Sequence, residues 1–423
     1  ANAARIKGAI EIVCGNTERR YVVPFAPGKR DDSDKKITDL FYGWFHLIRD
    51  GLDPDQPVRI IRERFTQLAR ELGSTINVED LLANIAVEAE QYTTPDYLAS
   101  RGEYLNAKII ADVLGATFVE PAECIKFNYE GMLDPTTYAL LGERLKGDGI
   151  FVVPGFYGSD PDGHVKTFGR GGSDVTGSIV ARAAQCSLYE NWTDVSGIRM
   201  TDPRIVPDAR RIHEITYGEL RELAYMGASV MHDEAIFPVR EVASPINIRN
   251  SWFPKDYGTL RLLHRIPARP VCDLAARAGF SMINIEKTLM NREVGFARRV
   301  LSVLEEHRVS VEHIPTGIDS ISVIIKDELL ARHGDAVVEG IKRICQPDSV
   351  TITNNLALVA TVGKAMNHHV GVAARLCTAL ARANVNVRVL DQGSSEMNII
   401  VGIESEDLET AVRAIYNAFE HWK

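Results

Sequence analysis

The second half of the chain repeats itself, and this repeat restricts the possible folds more than any other feature. Gly295 and Gly371 are 76 residues apart, and so are Gly317 and Gly393. Around each pair, segments of alternating apolar residues and helical segments follow in the order β-α-β-β-α-β. That is the order of a ferredoxin-like unit. The repeat therefore predicts two such units, which pair through their sheets in a dimer with a ligand site between copies.

Each copy of the repeat predicts its own set of elements. In the first copy we predict strands at 282–285, 309–313 and 321–325 and helices near 294–307 and 336–344. In the second copy we predict strands at 356–360, 385–389 and 397–401 and helices near 371–383 and 408–419. Neither copy places a nucleophile beside a base, which favours a regulatory role over a catalytic one.

The first half of the chain alternates short apolar strands with long amphipathic helices. Strands are predicted at 21–23, 117–119 and 149–153, and the last strand of this half at 246–249. Strands that alternate with helices indicate a layered α/β domain with a largely parallel sheet. Ligands of such domains bind beyond the carboxyl ends of the strands. We therefore expect functional residues in the loops that follow these strands.

A glycine-rich stretch at residues 167–178 is the first candidate site. Gly169 and Gly171 flank Arg170, and Ser173 stands where a helix is predicted to begin, as its N-cap. Glycines let a backbone approach a ligand closely, and a helix N-terminus favours anions. The guanidinium of Arg170 suits a carboxylate or a phosphate. Glycines alone would favour an ordinary loop, but the Arg, Ser and Asp residues favour an anion site.

Two further polar stretches allow a functional or a structural interpretation. Residues 100–103 precede a predicted helix at 104–114, and a carboxylate such as Glu103 in a first helical turn usually only compensates the helix dipole. Residues 193–197 and 201–204 form polar turns that are able to hydrogen-bond a nucleotide. Two polar surface turns explain the latter stretches equally well.

The overall composition excludes several classes of protein. The net charge of −9 over 423 residues gives no electrostatic footprint for nucleic acid. No apolar run reaches the roughly 18 residues of a membrane span, and no signal peptide opens the chain. The six cysteines lack CxxC pairing, so they indicate neither a disulfide framework nor a zinc site. A cytoplasmic location is expected.

Taken together, these motifs resemble those of the monofunctional aspartate kinases (aspartokinases), which have the amino-acid-kinase fold and paired C-terminal ACT domains. The most specific matches are residues 168–174, 100–103, 193–195 with 202–204, and 391–396. The resemblance implies an α/β fold, in which a layered αβα kinase domain with a largely parallel sheet precedes two ferredoxin-like βαββαβ (ACT) units. The implied domains are 1–252 for the kinase, 253–278 for a linker rich in Pro and Gly, 279–353 for ACT 1 and 354–423 for ACT 2.

The resemblance also implies an activity and its site. Aspartokinases phosphorylate L-aspartate with ATP and Mg²⁺, the first step toward lysine, threonine and methionine. By resemblance, Arg170 holds a substrate carboxylate, Glu103 accepts the α-ammonium, and Asp174 orients the reacting groups. The positions that match the rest of the aspartate pocket are Thr38, Phe156 and Ser173. The positions that match the nucleotide site are Thr193, Asp194, Arg199, Arg204 and Ser229.

A feedback amino acid binds between the ACT units of this family. The matching positions are Met290, Val294, Gly295, Phe296, Val311, Glu312, Asp319 and Ser320. A carboxylate such as Glu312 or Asp319 would accept the amino group of the effector. Lysine is the favoured effector and threonine the next. The alternative is that the ACT units only dimerise and bind no effector. A homodimer through the ACT domains is expected in either case, and its assembly into a tetramer stays open.

The sequence departs from the family pattern at several positions. The family opens with a Lys-Phe-Gly-Gly-Ser/Thr motif whose lysine reaches the transferred phosphate, and the sequence, which begins at Ala1, contains no such motif. Phe25 stands where a serine is usual, Arg199 where a tyrosine is frequent, and Ser229 where many members have a lysine. We expect that the natural protein has a preceding segment with this motif. If it has none, we expect a kinase with impaired catalysis.

Two other functions stay open from the sequence. One is a different amino-acid kinase of the same fold, such as a glutamate kinase, against which the paired repeat and residues 100–103 argue. The other is a catalytically silent protein that binds an amino acid and regulates a partner. The second function follows if the lysine motif is truly absent.

Overall fold

The computed structural model describes residues 2–31, 33–92, 94–169, 171–225, 237–262 and 269–422. The chain divides into two compact units. The first unit comprises Ala1–Ile198 and Val230–Leu263, and the second comprises Arg199–Ser229 and His264–Lys423. Among the described residues, no helix combines the length and the apolar character that crossing a membrane requires.

The first unit contains most of the helices that the apolar spacing predicts. Its helices are α1 (Ala3–Cys14), α2 (Ile37–Arg49), α3 (Asp55–Leu72), α4 (Val78–Ala89), α5 (Asp96–Leu114), α6 (Pro121–Cys124), α7 (Thr136–Arg144), α8 (Gly172–Ala183) and α10 (Phe237–Glu241). Its strands are β1 (Tyr21–Val22), β2 (Thr117–Phe118), β3 (Phe151–Val152), β4 (Tyr157–Ser159), β5 (Val165–Thr167), β6 (Tyr189–Thr193), β8 (Ile246–Asn250) and β9 (Thr259–Leu262).

A parallel sheet of three strands, in the order β1-β3-β2, lies among these helices. The apolar stripe of α2 supplies the largest side chains of the adjoining core, because Phe41, Trp44 and Phe45 fall on one helical face and are all buried. The helical spacing of these aromatic residues thus places them in the core.

A second group of strands in this unit differs from the predicted organisation. Strand β6 pairs with β8 in parallel, and β8 pairs with β9 in antiparallel fashion. Strand β9 lies inside residues 253–278, which we predicted as a linker. Residues 246–249 do form a strand, β8, but it is not the last strand of this unit. The prolines and glycines of the predicted linker suggested that assignment, but they lie in the turn between β8 and β9 and beyond β9.

The second unit contains the repeat and a short preceding segment. Its strands are β7 (Glu214–Thr216), β10 (Asp273–Glu286), β11 (Ser320–Lys326), β12 (Ser349–Val362), β13 (Val389–Asp391) and β14 (Asn398–Glu404). Its helices are α9 (Tyr217–Tyr225), α11 (Phe296–Glu306), α12 (Asp327–Cys345), α13 (Val372–Arg382) and α14 (Leu408–Phe419).

The two copies of the repeat share one continuous sheet, in the order β11-β10-β12-β14-β13. The long strands β10 and β12 pair along both copies. Residues 280–286 of β10 pair with β11, whereas residues 273–278 pair with 357–362, in the part of β12 that pairs with β14. The second copy therefore receives a strand from residues 273–278, upstream of the first copy and inside the predicted linker.

One strand of each predicted copy also shifts or is lost. Residues 309–313 form only an isolated bridge, between His313 and Ile324, and the strand predicted at 385–389 lies at Val389–Asp391. The class as a whole is confirmed: an α/β protein whose parallel strands precede two ferredoxin-like units.

Candidate functional site

Two loops of the first unit leave the carboxyl ends of neighbouring parallel strands. Residues 23–27 follow β1, and residues 153–156 follow β3, which pairs with β1. The backbone N–H of Gly155 donates to the carbonyl oxygen of Pro24 at 3.3 Å. The two loops therefore lie side by side at the edge of the sheet where an α/β domain binds its ligands.

Glu103 reaches this edge from the middle of a helix. We predicted it in a first helical turn, but α5 begins at Asp96, so that prediction is wrong. Gly102 lies inside the helix and permits close packing. A Cβ atom there would lie 2.8 Å from Ile37 Cγ2 and 3.0 Å from Ala26 Cβ. Helix α5 thus packs against α2 and the loop after β1 at the level of Glu103.

The carboxylate of Glu103 is buried and incompletely satisfied. The residue is 7% exposed, and its Oε2 atom has no hydrogen-bond partner among the residues that the structure describes. Burial raises the pKa of Glu103 to about 7, although the backbone N–H of Ala26 bonds to the carboxyl group and opposes this shift. A buried carboxylate with an unused acceptor suits a ligand that brings a positive charge.

Arg101, in the same motif as Glu103, has a structural role. Arg101 is 5% exposed, and its guanidinium carbon lies 4.4, 4.6 and 5.0 Å from the ring centres of Tyr97, Tyr104 and Tyr157. Its Nη2 atom donates to Ser100 Oγ at 3.0 Å. The ring faces offset the desolvation of the cation. Arg101 therefore anchors α5, and Glu103 is the charged residue of the motif at the site.

The glycine-rich stretch begins a helix, as expected, but with a different cap. Helix α8 starts at Gly172, and the N-cap is Gly171, which has a left-handed backbone (φ 73°). Ser173 is the second residue of the helix and is buried, so its predicted role as the N-cap is wrong. A glycine that turns the backbone into the helix makes a capping side chain unnecessary. The Arg170 prediction lies outside the described residues.

Ser173 and Phe156 are packed between the loop after β3 and α8. A Cβ atom on Gly155 would lie 2.6 Å from Ser173 Cβ, and one on Gly172 would lie 2.7 Å from Phe156 Cδ2. Phe156 has a positive φ of 83°, and its N–H donates to Thr176 Oγ1 at 3.0 Å. The Thr176 hydroxyl donates to the carbonyl of Gly172 at 2.9 Å. These contacts fix the strained loop against the start of the helix.

This close approach makes a testable prediction. We expect Gly155→Ala to lower the free energy of unfolding by about 1–3 kcal/mol, because the added methyl group must displace Ser173. We also expect a higher KM for the ligand of this site. Urea unfolding and steady-state kinetics measure the two effects. The control is Gly43→Ala in α2, where a Cβ meets nothing within 4 Å. Equal stability of the two variants would contradict the proposed contact.

Asp174 is held by two residues that the sequence analysis did not identify. Asn191 Nδ2 donates to Asp174 Oδ1 at 2.8 Å, and the hydroxyl of Tyr189 donates to the Asp174 carbonyl at 3.3 Å. Burial and the charge of Asp174 raise the pKa of Tyr189, which keeps it a neutral donor. The sequence did contain a signal for Asn191, because it is a polar amide in the middle of the short strand β6. Asp174 is therefore oriented before any ligand binds.

The predicted aspartate-pocket residues in the described part of the chain occupy one region. Thr38 lies in the first turn of α2, whose first residue packs against α5 one position before Glu103. Phe156, Ser173 and Asp174 lie where α8 begins and the loop after β3 ends. Because the loops after β1 and β3 are in contact, these two groups flank the same sheet edge.

The turn after β6 carries the predicted nucleotide residues of the first unit. Thr193 is the last residue of β6, and its hydroxyl donates to Asp194 Oδ1 at 3.2 Å. Asp194 is exposed. The turn follows the carboxyl end of a parallel strand, as the sequence analysis expected for a ligand-binding loop.

The remaining nucleotide positions lie in the second unit or outside the described residues. Arg204 is 88% exposed and pairs with Asp202, with 2.6 Å between Nη2 and Oδ2. Arg199 is exposed, and its Nη1 donates to the carbonyl of Ala209 at 2.8 Å. Ser229 falls within residues 226–236, which lie outside the described part of the chain.

Most of the predicted effector positions gather near the start of β11. The carboxylate of Asp319 accepts the backbone N–H of Leu289 at 2.8 Å, next to the buried Met290. Gly295 caps α11 with a φ of 81°. The other predicted positions of this group are the buried Phe296, the 95% exposed Val294 and the half-buried Ser320. This arrangement is a helix N-terminus beside a carboxylate.

Glu312 lies away from that group within the chain. Its backbone N–H donates to the carbonyl of Ile324, near the far end of β11, and Val311 before it packs against the core of the first copy. Its carboxylate accepts the hydroxyl of Tyr225 at 2.6 Å and lies 3.5 Å from Lys326 Nζ. The structure therefore separates the two carboxylates that we considered for the effector ammonium. Within one chain, Glu312 and Asp319 cannot bind the same ammonium group.

Comparison with known proteins adds independent evidence. Residues 46–250 match the family model of the amino acid kinase family, and residues 359–419 match that of an ACT domain. The chain is 37% identical to aspartokinase 3 of Bacillus subtilis over 439 residues, which cover 99% of this chain and 96% of the relative.

Two solved proteins share the whole fold. The aspartate kinase of Clostridium acetobutylicum is 46% identical with a TM-score of 0.93, and the match covers 99% of this chain and 97% of that one. Aspartokinase III of Escherichia coli, in complex with aspartate and ADP (R-state), is 27% identical with a TM-score of 0.78, covering 99% and 97%. The same enzyme with lysine and aspartate (T-state) gives a TM-score of 0.75 at 27% identity, covering 98% and 96%.

Proposed function

The chain belongs to the aspartokinase family, and we propose that it transfers the γ-phosphoryl group of ATP to the β-carboxylate of L-aspartate, under feedback control by lysine. The observation that carries this proposal is the buried Glu103 carboxylate, whose Oε2 atom lacks a partner among the described residues. An incoming α-ammonium group supplies the missing charge and hydrogen bond. A substrate without an amino group leaves this acceptor unsatisfied, so the site selects an amino acid.

The proposed reaction needs positioning more than covalent catalysis. A β-carboxylate oxygen of aspartate attacks the γ-phosphorus, the bond from that phosphorus to the bridging oxygen breaks, and ADP leaves with the electron pair. Glu103 binds the α-ammonium, and Thr38, Phe156 and Ser173 line the pocket. Arg170, which lies outside the described residues, is assigned to a substrate carboxylate from the sequence.

Asp174 is proposed to orient the reacting groups. Asn191 and Tyr189 fix its position at the N-terminal end of α8, so the carboxylate needs no reorganisation when substrate arrives. The amide groups of the first helical turn and the positive end of the helix dipole favour anionic oxygen atoms nearby. Together these groups offset the repulsion between the carboxylate substrate and the polyphosphate.

ATP and Mg²⁺ complete the proposed site. Thr193 and Asp194 bind the nucleotide from the turn after β6, and Arg204 is assigned to a phosphate from the sequence alone. Mg²⁺ is expected to enter with ATP, because this cation usually keeps waters and substrate phosphates as ligands. When bound, it neutralises charge on the phosphate oxygens.

The proposal is tested by trapping the acyl phosphate with hydroxylamine. The full natural protein is incubated with ATP, Mg²⁺ and L-aspartate, with L-glutamate in a parallel sample and with lysine or threonine added to others. We expect aspartyl hydroxamate, no glutamyl product, and suppression by lysine. Product from glutamate would favour a different amino-acid kinase. No product at all, with lysine still bound, would favour the silent regulatory protein.

The effector assignment makes its own prediction. We expect Glu312→Ala to raise the lysine concentration for half-inhibition at least tenfold with kinase activity retained, because a charged hydrogen bond to the effector is lost. Inhibition curves measure this effect. Glu305→Ala, at an exposed position on α11, is the matched control and should be inhibited normally. If Asp319→Ala relieves inhibition and Glu312→Ala does not, the effector site belongs to the start of β11.

A further inference from the structure

The turn that follows β6 is held in shape by residues from a different part of the chain. Strands β6 and β8 run in parallel and end at the same level, with Thr193 paired to Asn250. The two loops that leave these strands therefore start side by side. The second of them, residues 251–258, returns along β9, which pairs with β8 in the opposite direction.

Asn250 joins the two loops with its side-chain amide. Its Nδ2 atom donates to Ser196 Oγ at 2.9 Å and to the carbonyl of Asp194 at 3.3 Å. Its Oδ1 atom accepts the backbone N–H of Trp252 at 2.8 Å. Asn250 is only 4% exposed, so these bonds form in a buried setting where a lost partner is costly.

Thr259 supports the other end of the same turn. Its hydroxyl accepts the backbone N–H of Ile198 at 2.8 Å, and the residue is fully buried. Gly197 has a φ of 81°, and a Cβ atom there would lie only 2.5 Å from Thr259 Oγ1. The turn therefore packs directly against the threonine hydroxyl, and only glycine, which has no side chain, fits at position 197.

The supporting loop is itself anchored. Arg249 Nη2 donates to the carbonyl of Pro254 at 2.6 Å, and Nη1 pairs with Glu190 at 2.9 Å. The guanidinium carbon also lies 4.5 Å from the ring centre of Trp192 on β6. Ser251 adds two bonds, from its N–H and its hydroxyl, to the carbonyl of Thr193 at 2.8 and 3.0 Å. The turn at 193–198 is thus bonded to a loop, residues 251–258, that is itself held in place.

We propose that Asn250 and Thr259 are positioning residues for the nucleotide, which hold the turn at 193–198 in its binding conformation before ATP arrives. This inference rests on the proposed role of Thr193 and Asp194 in nucleotide binding. A turn that is already ordered loses less conformational entropy when it binds, so its affinity is higher. The two residues act through the turn and need not touch the nucleotide.

The test compares Asn250→Ala and Thr259→Val with the wild-type protein. We expect either variant to raise the KM for ATP and the Kd for Mg·ADP about tenfold, because one or two buried hydrogen bonds to the turn are lost. The KM for aspartate and the kcat at saturating ATP should change less than twofold. Thr259→Ser retains the hydroxyl and should restore nearly normal values. Asn247→Ala, on the same strand, is the matched control.

The possible results separate the inference from the function on which it rests. If the wild-type protein binds no Mg·ADP in calorimetry, the proposed nucleotide site itself fails. If it binds normally and both variants bind equally well, only the positioning role is overturned. A parallel loss of kcat and of both affinities in Thr259→Val, with no rescue by Thr259→Ser, would also overturn it. If Asn250→Ala does not fold, the two Thr259 variants still decide the question.

Discussion

Replacing one buried oxygen atom should almost abolish the use of aspartate: we expect Glu103→Gln to lower kcat/KM for aspartate about 10² to 10³-fold. The variant keeps the size of the side chain but removes the charge that the α-ammonium group is proposed to meet. Loss of one member of a buried charge pair typically costs about 2–5 kcal/mol, which corresponds to this range. The KM for ATP should change less than threefold. Steady-state kinetics with each substrate varied in turn measures both.

The same substitution should stabilise the fold at alkaline pH. Burial raises the pKa of Glu103 from its ordinary 4.5 to about 7, so the folded wild-type protein prefers the protonated form. The stability that this preference provides is complete below pH 4.5 and is lost as the pH rises through about 7. At pH 8 the wild-type protein therefore holds an unfavourable buried charge that the variant lacks. We therefore expect the unfolding free energy of the variant, relative to that of the wild type, to be on the order of 3 kcal/mol higher at pH 8 than at pH 4.5.

Two results would contradict this assignment. One is normal aspartate kinetics in Glu103→Gln, which would mean that the ammonium group binds elsewhere. The other is equal stability of wild type and variant across this pH range, which would mean that the carboxylate is not desolvated. Glu63→Gln, the same substitution at an exposed position of α3, is the matched control and should change neither property.

Removal of the Asp174 charge should act on turnover and not on binding. We expect Asp174→Asn to lower kcat about 10² to 10⁴-fold, while the KM values for aspartate and ATP stay within about threefold. The reason is that the side chain is fixed by Asn191 at the start of α8, where we propose that it orients the reacting groups without holding either substrate. Rapid-quench measurement of the phosphoryl-transfer step gives the effect directly.

The control for this prediction is the same substitution on the hairpin between β4 and β5. Asp162→Asn changes an exposed carboxylate and should have normal kinetics. A second variant, Asn191→Leu, leaves Asp174 in place without its amide donor and should lower kcat by a smaller factor. If Asp174→Asn raises both KM values and leaves kcat unchanged, the residue binds substrate and does not organise the transfer.

The sequence predicted the fold class because its signals are local and periodic. The apolar stripe of α2 and the offset between Gly295 and Gly371 each depend on residues close in the chain or on a repeated pattern. The strand at residues 273–278 could not be predicted in the same way. It pairs with a segment more than 75 residues away and lies in a stretch whose composition resembles a linker. Long-range pairing leaves no local periodicity that would reveal it.

The candidate site was predicted in its residues but not in its structural detail. Motif positions identified Glu103, Asp174 and Ser173, yet the position of Glu103 in the middle of α5 depends on the packing of Gly102 against two other segments. Asn191 and Asn250 were missed because their roles are to hold other residues through side-chain hydrogen bonds. Such supporting contacts come from elements distant in sequence, so only the fold reveals them.

The central claim is that the Glu103 carboxylate receives the ammonium group of aspartate, and proton release on binding tests it most directly. Calorimetric titration with L-aspartate at pH 7, in buffers of different ionisation enthalpy, counts the protons exchanged. With a pKa of about 7, Glu103 is about half protonated before binding. Because the bound ammonium favours the charged form, we predict the release of about half a proton at pH 7 and almost none at pH 8.5. Binding of aspartate without proton release at pH 7 would contradict the account.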